Sequence, residues 1–247
     1  MKKLLAILLA LLLLLTACGK KTTTTEEPPE PTPPVVTEPV PVEDPDPETL
    51  SYTINTSTST KAWDNVNATI HIPVLFGENL SAFTLINNYY ELLQGKVLDY
   101  VEGDLLSLPG ATVTANFDIM CAEETTLSIL WYVWTVTDLT EPIKASYSAA
   151  TFEPATGNLF TFASLFTDPD AARAMFVEKA REVMEQLQNT HPLYSQWHDL
   201  ADSALDTDCF YFADDSVYVF YSPDAVGTFV AVPLSYEELG DLLKVKP

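Results

Sequence analysis

Basic residues are scarce. The 247-residue chain carries 12 Lys and Arg against 35 Asp and Glu, a formal net charge of −23. Binding a nucleic-acid backbone draws on clustered cations that displace counterions, so nucleic acid is excluded as a partner. Glycine is sparse as well, at 8 residues, and none stands in a Gly-x-Gly-x-x-Gly, phosphate-loop or Gly-x-Ser-x-Gly arrangement. Dinucleotide cradles and nucleophile elbows, which need close backbone approach at glycine, are not expected. Three Cys and three His form no Cys-x-x-Cys and no His-Glu-x-x-His. His71, His191 and His198 read as surface or helix-end residues, because a zinc site needs three or four converging ligands. The expectation is a chain that is not an enzyme and holds no metal or cofactor. No apolar run is long enough to span a bilayer either: the longest, Leu4 to Leu15, has 12 residues, where a helix needs about 20.

What is present begins with an address. Lys2 and Lys3 precede that apolar run, the layout of an export signal. Leu15-Thr16-Ala17-Cys18-Gly19 follows it and resembles the bacterial lipoprotein lipobox. The resemblance implies cleavage before Cys18 and diacylglycerol on its thiol, so residues 1–17 are a signal peptide and Cys18 is the lipid attachment site. Two or three acyl chains anchor stably where one binds marginally. The expected location is the cell membrane, lipid-anchored, facing the extracytoplasmic side.

Residues 18–50 change composition. Nine of the 18 Pro fall between Pro28 and Pro47 among Thr, Glu and Val, without an aromatic. Such a stretch buries too little surface to offset its ordering entropy, so an extended acidic stalk is expected. From residue 51 onward, 27 acids face eight bases. A field of that sign speeds encounter with cationic partners and repels anionic ones, besides keeping the protein soluble.

With 47% apolar and 11% aromatic residues, residues 51–247 have the material for a core. Val66, Ala68, Ile70, Ile72, Val74 and Phe76 alternate with polar residues, predicting a strand with one buried face. Ala82, Leu85, Ile86, Tyr89, Tyr90 and Leu93 recur at helical spacing, with Asn79 or Ser81 as cap and Gly95 as stop. Val113 to Ile119 alternates, Leu127 to Val136 reads as a central strand apolar on both faces, and Tyr147 to Glu153 with Leu159 to Phe162 reads as a hairpin. Asp168-Pro169 caps a long helix with the stripe Ala172, Phe176, Ala180, Val183 and Leu187. A shorter helix is expected near Leu193 to Leu205. Cys209 to Ala213 and Val217 to Tyr221 flank an Asp214-Asp215 turn, Phe229 to Val232 is a last strand, and Ser235-x-x-Glu238 is a capping box before a terminal helix through Leu239, Leu242 and Leu243. Clustered strands with irregular helices predict an α+β fold, a mostly antiparallel sheet packed by two or three helices in one compact domain.

Phe152-Glu153-Pro154-Ala155-Thr156-Gly157-Asn158-Leu159 leads to Ser164-Leu165-Phe166, and Val217 to Pro223 leads to Val230-Ala231-Val232-Pro233-Leu234 and Tyr236-Glu237-Glu238-Leu239. This order resembles the RsiV/PdaC-like extracytoplasmic domain family, over roughly Asn65 to Leu243. The resemblance implies a ligand-binding ectodomain, since that family includes the sensor domain of the anti-sigma factor RsiV, which binds lysozyme. Where many members carry a Gly-Gly-Ala-His-Pro type segment, this chain reads Ala145 to Thr151 without Gly or His.

Three clusters complete the reading. Asp199, Asp202 and Asp206 share a helix face, with Asp208 beyond, and read as solvated rather than as a calcium loop. Cys121 and Cys209 lie at strand edges; free thiols and a disulfide both remain open, free thiols being preferred. Trp131, Tyr132 and Trp134 read as core first and as a sugar platform second. The leading function is a noncatalytic binding module that captures a cationic protein such as lysozyme. Second comes a structural or accessory envelope lipoprotein contacting peptidoglycan or another envelope protein, and third an envelope hydrolase using Asp199, Asp202 and Asp206.

Overall fold

The computed structural model describes residues 50–107, 110–137, 144–203, 205, 209–245 and 247. The signal segment, Cys18, the stalk up to residue 49, Asp206 and Asp208 lie outside the described residues. Six strands form the first sheet: β1 (Tyr52–Ala62), β2 (Val66–Gly77), β3 (Ala111–Ala122), β4 (Leu127–Thr137), β5 (Lys144–Glu153) and β6 (Asn158–Leu159), in the order β1-β2-β3-β4-β5-β6. Neighbours are antiparallel except β2 and β3, which run parallel because α1 (Leu80–Tyr100) crosses between them. A second sheet, β7 (Phe210–Ala213), β8 (Ser216–Tyr221) and β9 (Val230–Ser235), is an antiparallel meander. The fold is α+β as expected, with the strands divided between two sheets.

Side-chain alternation builds four layers. α1 buries Phe83, Ile86, Tyr90 and Val97 on one face of the first sheet, against Ile70, Ala115, Ile129 and Phe152. On the other face Met120 and Leu130 meet Tyr211, Ala213 and Phe220 of the second sheet. The outer face of that sheet, with Phe212, Val217, Val219 and Val232, is covered by α3 (Pro169–Leu187) through Ala172, Phe176, Ala180 and Met184. Successive side chains of β8 therefore enter different cores. β4 is buried on both faces from Leu127 to Trp131, as its continuous apolar run predicts. A polar tie crosses the seam between the sheets, where Ser128 Oγ accepts the N–H of Phe212 at 3.0 Å and is hydrogen-bonded to Thr151 Oγ1 at 2.7 Å.

Several elements depart from the sequence expectation. Gly95 does not stop α1: Val97, Val101 and Leu105 continue the buried stripe at four-residue spacing, through Tyr100 and a π turn at Val101–Leu105. Packing there outweighs the roughly 1 kcal/mol that a helix-interior glycine costs. The buried face of β2 holds only to Ile72, after which Leu75 is buried, Val74 is half-buried and Phe76 is 52% exposed. β3 pairs with β2 only through Ile70. Beyond it, Asn87 of α1 serves the open strand, its Oδ1 accepting the N–H of Leu75 at 2.8 Å and its Nδ2 donating to the Leu75 carbonyl at 3.1 Å.

Other boundaries contract. β6 ends at Leu159, and Phe162 begins α2 (Phe162–Leu165), capped by Thr161. The predicted helix near Leu193 to Leu205 is α4 (Trp197–Ser203). α5 (Pro223–Val226) was not expected, and α6 (Tyr236–Leu239) keeps its Ser235/Glu238 capping box but ends at Gly240, at φ 50°. Val183 and Leu187 of α3 are only half-buried, and Met184 takes the core position instead.

The β5–β6 hairpin docks on the start of α1. Asn79 caps that helix and its Nδ2 donates to the Ala155 carbonyl at 2.6 Å. Gly157, at φ 76°, lies so close that a Cβ placed there falls 2.5 Å from the carbonyl oxygen of Ala82.

Candidate functional site

The last turns of α1, the C-terminal half of β4 and the facing part of β5 enclose an open groove of about 350 Å³. Its floor is apolar, from Leu93, Val97, Trp131 and Val133, and its rim includes Lys96, Tyr100, Ser146 and Asp224. A groove of this size, with an apolar floor and a few convergent polar groups, is what small ligands occupy.

The predicted Trp131, Tyr132 and Trp134 cluster is split by the strand. Trp131 is 4% exposed in the α1 core, 6.1 Å from Tyr90, while Trp134 points to the opposite face and is 43% exposed. Tyr132 stands beside Trp134, ring centroids 5.4 Å apart. Residues at even and odd positions of a strand cannot share a face, and the sequence spacing already carried that separation.

The acidic residues take mixed roles. Asp202 is held by Arg173, whose Nη1 donates to its Oδ1 at 2.5 Å and whose Nη2 donates to its carbonyl at 2.7 Å. That hydrogen bond, followed by the guanidinium charge, lowers the Asp202 pKa from the ordinary carboxylate value. The triad proposed with Asp199 and Asp206 thus has one member engaged by a cation, and Asp206 lies outside the described residues. Glu124 accepts the N–H and hydroxyl of Ser51 and fastens the start of β1. Burial above all, then the neighbouring Cys121 sulfur, and then the carboxylates of Asp215, Asp214 and Glu123 on exposed turns raise the Tyr236 hydroxyl above its ordinary range. The other ion pairs are Lys61 with Glu102 at 2.6 Å and Lys179 with Glu182 and Glu238 at 3.5 and 3.7 Å. Most exposed carboxylates have no cation within ion-pair distance among the described residues.

The histidines and cysteines are dispersed. His71 is hydrogen-bonded to Thr58 at 2.9 Å, His191 to Thr190 at 2.9 Å, and His198 stacks on Trp197 at 4.0 Å. Cys121 and Cys209 are not joined in a disulfide. Burial, reinforced by Glu123, pushes the Cys121 thiol up to about 12, so it stays protonated and inert at neutral pH. Among the described residues no three His, Cys, Asp or Glu side chains converge as metal ligands, and no helix is long and apolar enough to cross a membrane.

No family model and no curated protein matches the chain. Solved structures do. The chain is similar to a member of the DUF3298 family from Bacteroides fragilis, at 11% identity and a TM-score of 0.57, over 79% of this chain and 94% of that one. It is also similar to a DUF3298 family protein from Pseudomonas aeruginosa PAO1, at 12% identity and a TM-score of 0.52, over 78% and 94% of the two chains. At these identities the shared property is the fold, an α+β domain common to this chain and the DUF3298 structures.

Proposed function

We propose that this chain is a noncatalytic binding domain, held on the outer side of a bacterial cell membrane by lipid on Cys18, and that it captures a cationic protein such as lysozyme. The observation that carries this reading is the excess acidity of the folded part, 27 acids against eight bases, with few of the exposed carboxylates in ion pairs among the described residues. A surface of one sign steers a partner of the other and raises its association rate, an effect that falls with ionic strength. The resemblance to the RsiV/PdaC-like ectodomains supports the same class of ligand.

Purified lysozyme passed over the immobilised protein is expected to be retained at low salt and released at high salt. Free passage at low salt contradicts the reading. The anchor has its own test: Cys18→Ser is expected to move the protein from the membrane fraction to the soluble fraction, and undiminished membrane retention of that variant contradicts lipid attachment at Cys18.

A further inference from the structure

Among the described residues, no second layer covers part of the first sheet. The second sheet covers β4 around Ser128 and Leu130. Further along the same face Tyr132 is half-buried, Trp134 is 43% exposed and Val136 is 47% exposed. On the adjoining strands Thr114 stands in register with Trp134, Thr69 in register with Thr114, and Asn116 in register with Tyr132. All three are partly exposed. β2, β3 and β4 are interior strands of the sheet, so side chains there reach solvent only where nothing is stacked on that face.

The chemistry of this face differs from the rest of the surface. Around Trp134 its side chains are aromatic, aliphatic, hydroxyl or amide, and the carboxylate of Asp118, in register with Leu130, stands at the edge toward the second sheet, on a chain of net charge −23. Trp134 is also held in place: Tyr132 lies 5.4 Å from it at 33°, Tyr147 lies 6.2 Å from Tyr132, and Phe229, packed against the core between the sheets, lies 4.4 Å from Tyr147. A ring fixed this way loses little entropy on binding. Asn116 is fixed too, its Oδ1 accepting the N–H of Phe117 at 2.9 Å.

We propose that this face binds a neutral, β-linked glycan chain, with one pyranose ring stacked on Trp134 and neighbouring hydroxyls hydrogen-bonded by Thr114, Thr69 and Asn116. The electron-rich indole face attracts the polarised C–H groups of a pyranose. Hydroxyl and amide side chains both donate and accept, as sugar hydroxyls require. Strands lie about 4.8 Å apart, so groups on successive strands meet successive parts of a flat, ribbon-like chain laid across them. Acidic polysaccharides are repelled by the surrounding field. Exposed large apolar side chains here are only Trp134 and Val136, too small an area for an apolar protein partner. The inference is independent of lysozyme capture, because it uses a different surface and a force that salt does not screen.

Calorimetry of the full chain with a hexamer of β-1,4-linked N-acetylglucosamine tests it. The expected result is binding whose affinity is the same at low and high salt. Trp134→Ala is expected to weaken it about tenfold, the loss of about 1.4 kcal/mol. Thr114→Val keeps the β-branched shape and is expected to weaken it severalfold, which decides the matter if the tryptophan variant does not fold. Lysozyme retention is expected to persist in both. No heat with the unaltered chain, an affinity in both variants equal to that of the unaltered chain, or binding abolished by salt overturns the proposal. Loss of lysozyme retention in folded Trp134→Ala also overturns it, since the face then belongs to a protein partner.

Discussion

Gly157→Ala is expected to destabilise the protein by about 3 kcal/mol or more. The residue sits at φ 76°, where a side chain costs roughly 1–2 kcal/mol on conformational grounds. The added methyl also meets backbone: its nearest neighbours are the carbonyl oxygen of Ala82 at 2.5 Å and its Cα at 2.9 Å. Neither is the end of a flexible side chain, so the β5–β6 hairpin or the first turn of α1 must shift. For a chain of this size the expected fall in Tm is about 6 to 12 °C. Gly95→Ala supplies the opposite sign. A Cβ placed there meets nothing within 4 Å beyond the backbone of its own helix, and alanine in a helix interior gains up to about 1 kcal/mol over glycine. Thermal unfolding of the two variants checks both; an unchanged Tm in Gly157→Ala contradicts the docking of the hairpin on α1.

Alkali is expected to unfold the protein before its buried tyrosines titrate. Tyr52, Tyr90, Tyr211 and Tyr221 all have hydroxyls raised above the ordinary tyrosine value, in each case chiefly by burial. Cys121 is raised for the same reason, to about 12. These groups keep their protons in the folded state, whereas the unfolded chain releases them from about pH 9 for cysteine and about pH 10 for tyrosine. Their contribution is therefore fully present at neutral pH and is lost as pH rises past those unfolded values. By pH 11 each buried tyrosine removes at most about 1.4 kcal/mol. Four of them together remove about 5 kcal/mol, comparable with the whole stability of a typical domain. Denaturant titrations at pH 8 and pH 11, followed by tyrosinate absorbance, are expected to show a large fall in midpoint, with the share of the tyrosinate signal that belongs to the four buried rings appearing only with unfolding. Ionisation of all eleven tyrosines near pH 10 in a chain that stays folded contradicts the burial of these rings.

Local signals were the readable part of this fold. Asp168 with Pro169, and Ser235 with Glu238, are helix starts whose hydrogen bonds lie within three residues, and both are present. The apolar run of β4 was readable because a strand covered on both sides has no polar face to show. β1 was not readable: Tyr52 is its only buried apolar residue, and its strand state follows from pairing with β2, whose partners are up to 25 positions away. Nor can alternation say which sheet a strand joins, since β4 and β8 carry the same pattern and pack on different helices.

The site features divide in the same way. That Trp131 and Trp134 face opposite ways is a matter of parity. That Trp134 meets solvent depends on where the second sheet ends. The engagement of Asp202 by Arg173, 29 residues away, is equally a product of tertiary structure, here of α3 and α4 lying side by side.

If the acidity of the folded part recruits a cationic protein, as proposed, calorimetry of the chain with lysozyme at two salt concentrations gives micromolar or tighter binding at low salt that weakens markedly at high salt. No heat at either salt, or an affinity indifferent to salt, contradicts it.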